Sequence, residues 1–105
     1  MNMNASTQSE RQALACTVVE LDVNNHAGVM SHVVGLFSRR AYNVEGIVVL
    51  PQGDGATSRI WLQVNEDARL EQMIKQVEKL EDVLAVRRHG NQHPVFERLE
   101  EFTQA

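Results

Sequence analysis

The chain has 105 residues, enough for one compact domain and too few for two. Its 43% apolar and 23% charged residues are those of an ordinary globular domain, and fourteen acidic against ten basic residues give a net charge of −4. That charge argues against non-specific nucleic-acid binding by phosphate neutralisation, and no apolar run approaches the ~18 residues that would span a membrane.

Met1 to Gln12 is polar and lacks an apolar signal core, so residues 1–13 are expected to be a disordered tail on a cytoplasmic protein. From Ala15 the pattern alternates. Thr17, Val19, Leu21 and Val23 share one face, while Cys16, Val18, Glu20 and Asp22 share the other, wetter one. Turn residues Asn24 to Gly28 follow, and the period then becomes helical. Val29, Val33, Leu36, Phe37 and Arg40 make a stripe, with Met30 and Val34 beside it. Gly35 lies inside this helix and is read as a close-packing position.

Val44 to Leu50 is a strand, Pro51 to Gly55 a turn, and Ser58 to Val64 a second strand; together they read as a hairpin. Ile60, Leu62 and Val64 face the core, and Arg59, Trp61 and Gln63 face away. Asn65 or Asp67 is expected to cap a helix whose stripe is Leu70, Met73, Ile74, Val77 and Leu80. Val83 to Arg88 is the last strand. In the extension 91–105, Val95, Phe96, Leu99 and Phe102 are spaced for a short amphipathic helix with Pro94 in its first turn.

The order β-α-β-β-α-β is a split βαβ repeat. The fold class is α+β, ferredoxin-like, with a four-stranded antiparallel sheet and two helices on one face. The other face, carrying Cys16, Val18, Arg59 and Trp61, is expected to be open.

No catalytic constellation emerges. His26, His32, His89 and His93 fall in different parts of the chain and read as surface or capping histidines, with no metal site. Ser31 and Ser38 lack an oriented base, and Cys16 lacks a histidine partner, a disulfide partner and companion metal ligands. An RNA-recognition module of this topology would stack bases on several sheet aromatics, and only Trp61 is offered. A small phosphatase of this topology would need an arginine after the first strand, where Asn24 to Gly28 has none.

The loop Asn25-His26-Ala27-Gly28-Val29-Met30 is more informative. It opens a helix whose first N–H groups have no intrahelical partner, and the helix dipole adds partial positive charge there. A carboxylate would be held well at that spot, with the Asn25 amide beside it; the same pattern also describes a routine capped turn. Asn43, before the second strand, is equally ambiguous.

Asn25-x-x-Gly28-Val29-Met30, Gly35 to Arg40 and Tyr42 to Gly46 together resemble the opening of an ACT domain. More narrowly, they are similar to the small regulatory subunits of acetohydroxyacid synthase (acetolactate synthase). The likeness continues through Arg59 to Leu62, Leu70 to Ile74 and Lys79 to Val83, covering roughly residues 15–88. It is nearest to the short, single-domain isozyme I type, and the second domain carried by longer members of the family is not expected here.

The resemblance implies a homodimer in which two sheets join side by side, with a branched-chain amino acid between the protomers. Asn25 and Gly28 of one copy and Asn43 of the other would hold valine, its carboxylate on the N–H groups around Ala27 to Val29. The valine side chain would rest on Val29, Met30 or Val44. The implied partner is the large catalytic subunit, which this chain activates and makes sensitive to valine. Thiamine diphosphate, magnesium and FAD would belong to that partner, and this chain would carry no cofactor. Trp61 on the open face and Phe96, Leu99 and Phe102 of the extension are candidate contacts for it, unless they cover their own domain. The alternative is a free-standing amino-acid sensor acting on another enzyme or regulator.

Overall fold

The structure, a computed structural model, describes residues 16–90 and 93–103. The tail expected over residues 1–13 lies outside them. In chain order the elements are β1 (Cys16–Asn24), α1 (Val29–Arg39), β2 (Val44–Gln52), β3 (Thr57–Asn65), α2 (Leu70–Glu78), β4 (Val83–Arg88) and α3 (Pro94–Thr103). The sheet runs β2-β3-β1-β4 and is antiparallel throughout, so β1 and β3 are central and β2 and β4 are edges. Among the described residues, no helix is long and apolar enough to cross a membrane.

The alternation in β1 and β3 sends Val19, Leu21 and Val23, with Ile60, Leu62 and Val64, to one face. The stripes of α1 (Val33, Leu36, Phe37) and α2 (Leu70, Met73, Val77) close over them. Burial of each such side chain contributes about 1.5–3 kcal/mol. Pro51 falls inside β2, where an edge strand tolerates its missing N–H.

Helix α1 ends in a left-handed cap. The Ala41 N–H donates to the Ser38 carbonyl at 3.0 Å and the Tyr42 N–H to the Phe37 carbonyl at 2.9 Å. The Phe37 and Tyr42 rings meet edge to face at 5.8 Å, the apolar contact that accompanies this motif. Ala41 adopts φ 52°, a conformation glycine reaches without the steric cost of a Cβ. Ala41→Gly is expected to raise stability by about 1 kcal/mol, read as a shift in denaturant midpoint at unchanged slope.

Two local expectations change. Helix α2 begins at Leu70 because Asp67 first closes a turn of its own. Its carboxylate accepts the Arg69 N–H at 2.7 Å and its carbonyl the Leu70 N–H at 3.1 Å. At Gly35, an added Cβ would meet only the Arg39 guanidinium, at 3.2 Å. Among the described residues no neighbouring backbone comes within 4 Å of that position, so the close-packing reading fails within one protomer.

The second face of the sheet is not open. Helix α3 lies on it and inserts Phe96 beside Val18 and Trp61, with Val48 and Val95 around them. Trp61 is 9% exposed and β1 is buried on both faces, including Glu20 at 8%. Trp61 and Phe96 therefore cover their own domain and present no free contact patch, whereas Leu99 and Phe102 remain exposed.

Gly46 makes this docking fit. A Cβ there would stand 2.8 Å from a Phe96 ring carbon and 3.3 Å from the Gln63 side-chain oxygen. Gly46→Val is expected to push Phe96 off the sheet and cost about 1–3 kcal/mol. The single tryptophan reports it: Trp61 emission should shift to the red and become quenchable as α3 loosens.

Candidate functional site

The β1–α1 loop is clamped between two other turns. On one side the Asn25 N–H donates to the Ala56 carbonyl at 3.0 Å, and Asn25 Nδ2 donates to the Gly55 carbonyl at 2.7 Å. On the other side the Asn24 N–H reaches the Asp82 carbonyl at 2.9 Å, and His26 Nε2 lies 2.7 Å from an Asp82 carboxylate oxygen. The bond from Nδ2 to Gly55 orients the Asn25 amide and leaves Oδ1, its acceptor, available to a ligand.

Gly28 then turns the chain with φ 91°, a left-handed conformation that a side chain would strain. Helix α1 starts without a side-chain cap, and the Val29 N–H reaches back to the His26 carbonyl only at 3.4 Å. Its first N–H groups therefore face the exposed loop residues Ala27 and Gly28 with their donor capacity largely unspent. The Val29 side chain packs in the core at 5% exposure, which removes it as an apolar wall for a ligand. Met30, half-buried, is the neighbouring side chain that can serve.

The His26–Asp82 contact is pH-dependent. The hydrogen bond to Asp82, then the one to the Ala27 carbonyl, hold the His26 pKa above its ordinary value of 6.5. The His26 hydrogen bond likewise holds Asp82 below the usual carboxylate range. A raised histidine pKa stabilises the fold fully below pH 6.5, and the contribution is lost as pH rises through the folded value. Melting temperatures of the wild type and His26→Gln should thus differ most at mildly acid pH and converge above neutrality. A constant gap across that range would contradict the ion pair.

Asn43 and Val44 sit at the other end of α1. Tyr42 is buried beneath them, and its hydroxyl donates to the Asn65 carbonyl, which fixes the start of β2. Asn43 itself is exposed, and its amide has no hydrogen-bond partner among the described residues. Val34, Ser38, Asn43, Val44 and Ile47 line an open groove of about 490 Å³ along α1 and β2.

The Asn25–Gly28 loop and Asn43 are thus separated by the length of α1, 11 residues or roughly 16 Å. One protomer does not bring them together. Ile47 and Val49 pair with Leu62 and Ile60, so they point to the helix side of the sheet, yet each is 40% exposed.

The remaining candidates resolve simply. Cys16 is buried, and burial, with the nearby Glu45 charge, pushes its thiol pKa up, away from reactivity. His32 is exposed on α1. His89 and His93 are not scattered: their rings stand 4.7 Å apart, beside Glu20. Asp82, Gly55 and Ala56 were not anticipated as supports of the loop, since no local pattern links residue 26 to residue 82 or residue 25 to residue 55.

Residues 19–85 match the model of the AHAS small subunit-like ACT domain. The chain belongs to that family. The ACT domain is 55% identical over 87 residues to the acetolactate synthase isozyme 1 small subunit of Escherichia coli K12, covering 83% of this chain and 91% of that one. The isozyme 3 small subunit of the same organism is 42% identical over 74 residues, which are 70% of this chain and 45% of the relative. Among solved structures, the acetolactate synthase small subunit from Thermotoga maritima superposes with a TM-score of 0.63 at 35% identity. That match covers 70% of this chain and 46% of that one. The chain therefore spans nearly all of the isozyme 1 relative and under half of the other two.

Proposed function

We propose that this ACT domain is the regulatory subunit of an acetohydroxyacid synthase and binds valine between two copies of itself. The observation that carries the reading is the separation of the two half-sites by α1, next to an exposed apolar strand edge. A two-fold axis beside β2 sets two α1 helices antiparallel. It then brings the Asn25–Gly28 loop of one copy toward Asn43 of the other. The same pairing covers Ile47 and Val49 and satisfies the unpaired edge of β2.

In this dimer the valine carboxylate accepts from the N–H groups around Ala27, Gly28 and Val29. The ammonium donates to Asn25 Oδ1 and to the Asn43 amide oxygen, and the isopropyl group rests on Met30 and Val44. Burying that side chain contributes roughly 1.5–3 kcal/mol, which separates valine from alanine well and from isoleucine poorly. Thiamine diphosphate, magnesium and FAD act on the large catalytic subunit. Valine inhibits by binding more tightly to the inhibited arrangement of the complex than to the active one, a coupling that an interface site supplies directly.

The test is calorimetry of the full chain with valine, leucine and isoleucine, followed by reconstitution with the large subunit. Valine binding, a gain in synthase activity on mixing and its loss on adding valine support the proposal. A chain that binds an amino acid yet leaves the synthase unaffected is a free-standing sensor, which contradicts it.

A further inference from the structure

We propose that Glu20, His89 and His93 form a site for a borderline divalent cation of the Zn²⁺ class, which staples helix α3 to the sheet. One ligand-type atom from each lies within 4.8 Å of the others, and side-chain rotation must bring them in to the roughly 3.3 Å that separates donors on a tetrahedral ion. Glu20 is buried and the two histidines are half-buried, so the three meet where the sheet face passes under the start of α3. Two imidazoles and one carboxylate, with water completing the set, suit Zn²⁺, Co²⁺ or Ni²⁺ better than Mg²⁺ or Ca²⁺.

The surrounding groups orient the carboxylate. Arg87 Nε donates to Glu20 Oε2 at 2.7 Å, which directs Oε1 toward His89 Nε2, 3.0 Å away, and the Trp61 indole N–H, 3.1 Å away. Asp22 takes the remaining reach of Arg87 at 2.7 Å and holds Arg59 at 2.8 Å. Two carboxylates thus balance two guanidinium groups, and the ion joins a neutral cluster. Ligation through His89 Nε2 replaces its 3.0 Å contact with Glu20, while His93 Nδ1 accepts the Val95 N–H at 3.2 Å, which orients that ring at the start of α3.

The geometry also gives the ion a structural consequence. Glu20 is on β1, His89 follows β4, and His93 immediately precedes α3. One ion ties all three. It fixes the helix whose Phe96 covers Trp61, and with it the exposed Leu99 and Phe102.

The experiment uses untagged, metal-stripped full-length protein titrated with zinc sulfate near pH 7.5. One ion per chain at micromolar affinity is expected, with His89→Ala and His93→Ala each weakening it at least tenfold and His32→Ala leaving it unchanged. Cobalt(II) needs no variant: the wild type should give the intense visible absorption of four- or five-coordinate Co²⁺. Absence of zinc binding, binding that survives both variants, or a weak aquo-like cobalt spectrum would overturn the site.

Discussion

Asn25→Ala is expected to weaken valine binding by roughly 10- to 150-fold and to leave the reconstituted synthase correspondingly resistant to valine. The magnitude is that of a hydrogen bond to a charged group, about 1.5–3 kcal/mol. The Asn25 amide is already oriented by its bond to the Gly55 carbonyl, so its oxygen meets an ammonium without further ordering. The variant also loses that bond, but Asn25 is exposed and the backbone bond from its N–H to Ala56 remains. Its melting temperature should therefore change little while its affinity falls. Calorimetry and an inhibition curve read the two sides of the effect. Unaltered affinity would remove Asn25 from the site.

Ile47→Lys should do more. Ile47 is exposed on an edge strand, so a single protomer tolerates the charge. A two-fold interface would bury the charge twice, at several kcal/mol for each ion, weakening the dimer by at least about 100-fold. Lysine on an edge strand is also a natural block to edge pairing. Sedimentation should show a folded monomer, and valine binding should disappear with the dimer although Asn25, Gly28 and Asn43 are untouched. A variant that remains dimeric would place the interface elsewhere.

Much of the fold was legible because its signals are local. The alternation Val19-Leu21-Val23 and Ile60-Leu62-Val64, and the stripes of α1 and α2, each reflect burial against the same core. Departures arise where burial is set from far along the chain. Glu20 reads as a solvent-facing strand residue, yet Trp61, Arg87 and α3 enclose it. Burial pushes its pKa up, but the hydrogen bonds from Arg87 and His89 prevail and hold it below the usual carboxylate range. His89 and His93 have the i,i+4 spacing of a helical metal pair, but one follows β4 and the other precedes α3, so no helix announces that they share a site.

The candidate ligand site was legible in composition but not in assembly. Gly28 reads from the sequence as a turn glycine ahead of the helix, and the structure gives it φ 91° at that turn. The clamp on the loop was not, since Asn25–Gly55 and His26–Asp82 join residues 30 and 56 positions apart. Val29 shows the opposite limit: as the first residue of α1 it is near the loop in sequence, while its side chain belongs to the core.

The shared pocket is tested most directly by mixing Asn25→Ala with Asn43→Ala. Each homodimer has both pockets damaged. A heterodimer combines the intact Asn43 of one chain with the intact Asn25 of the other in a single pocket and collects both lesions in the second. Subunit exchange should restore wild-type affinity at one valine per heterodimer, and with it partial inhibition of the synthase. Mixtures that bind no better than the separate variants, once exchange has been verified, would contradict a pocket built from two chains.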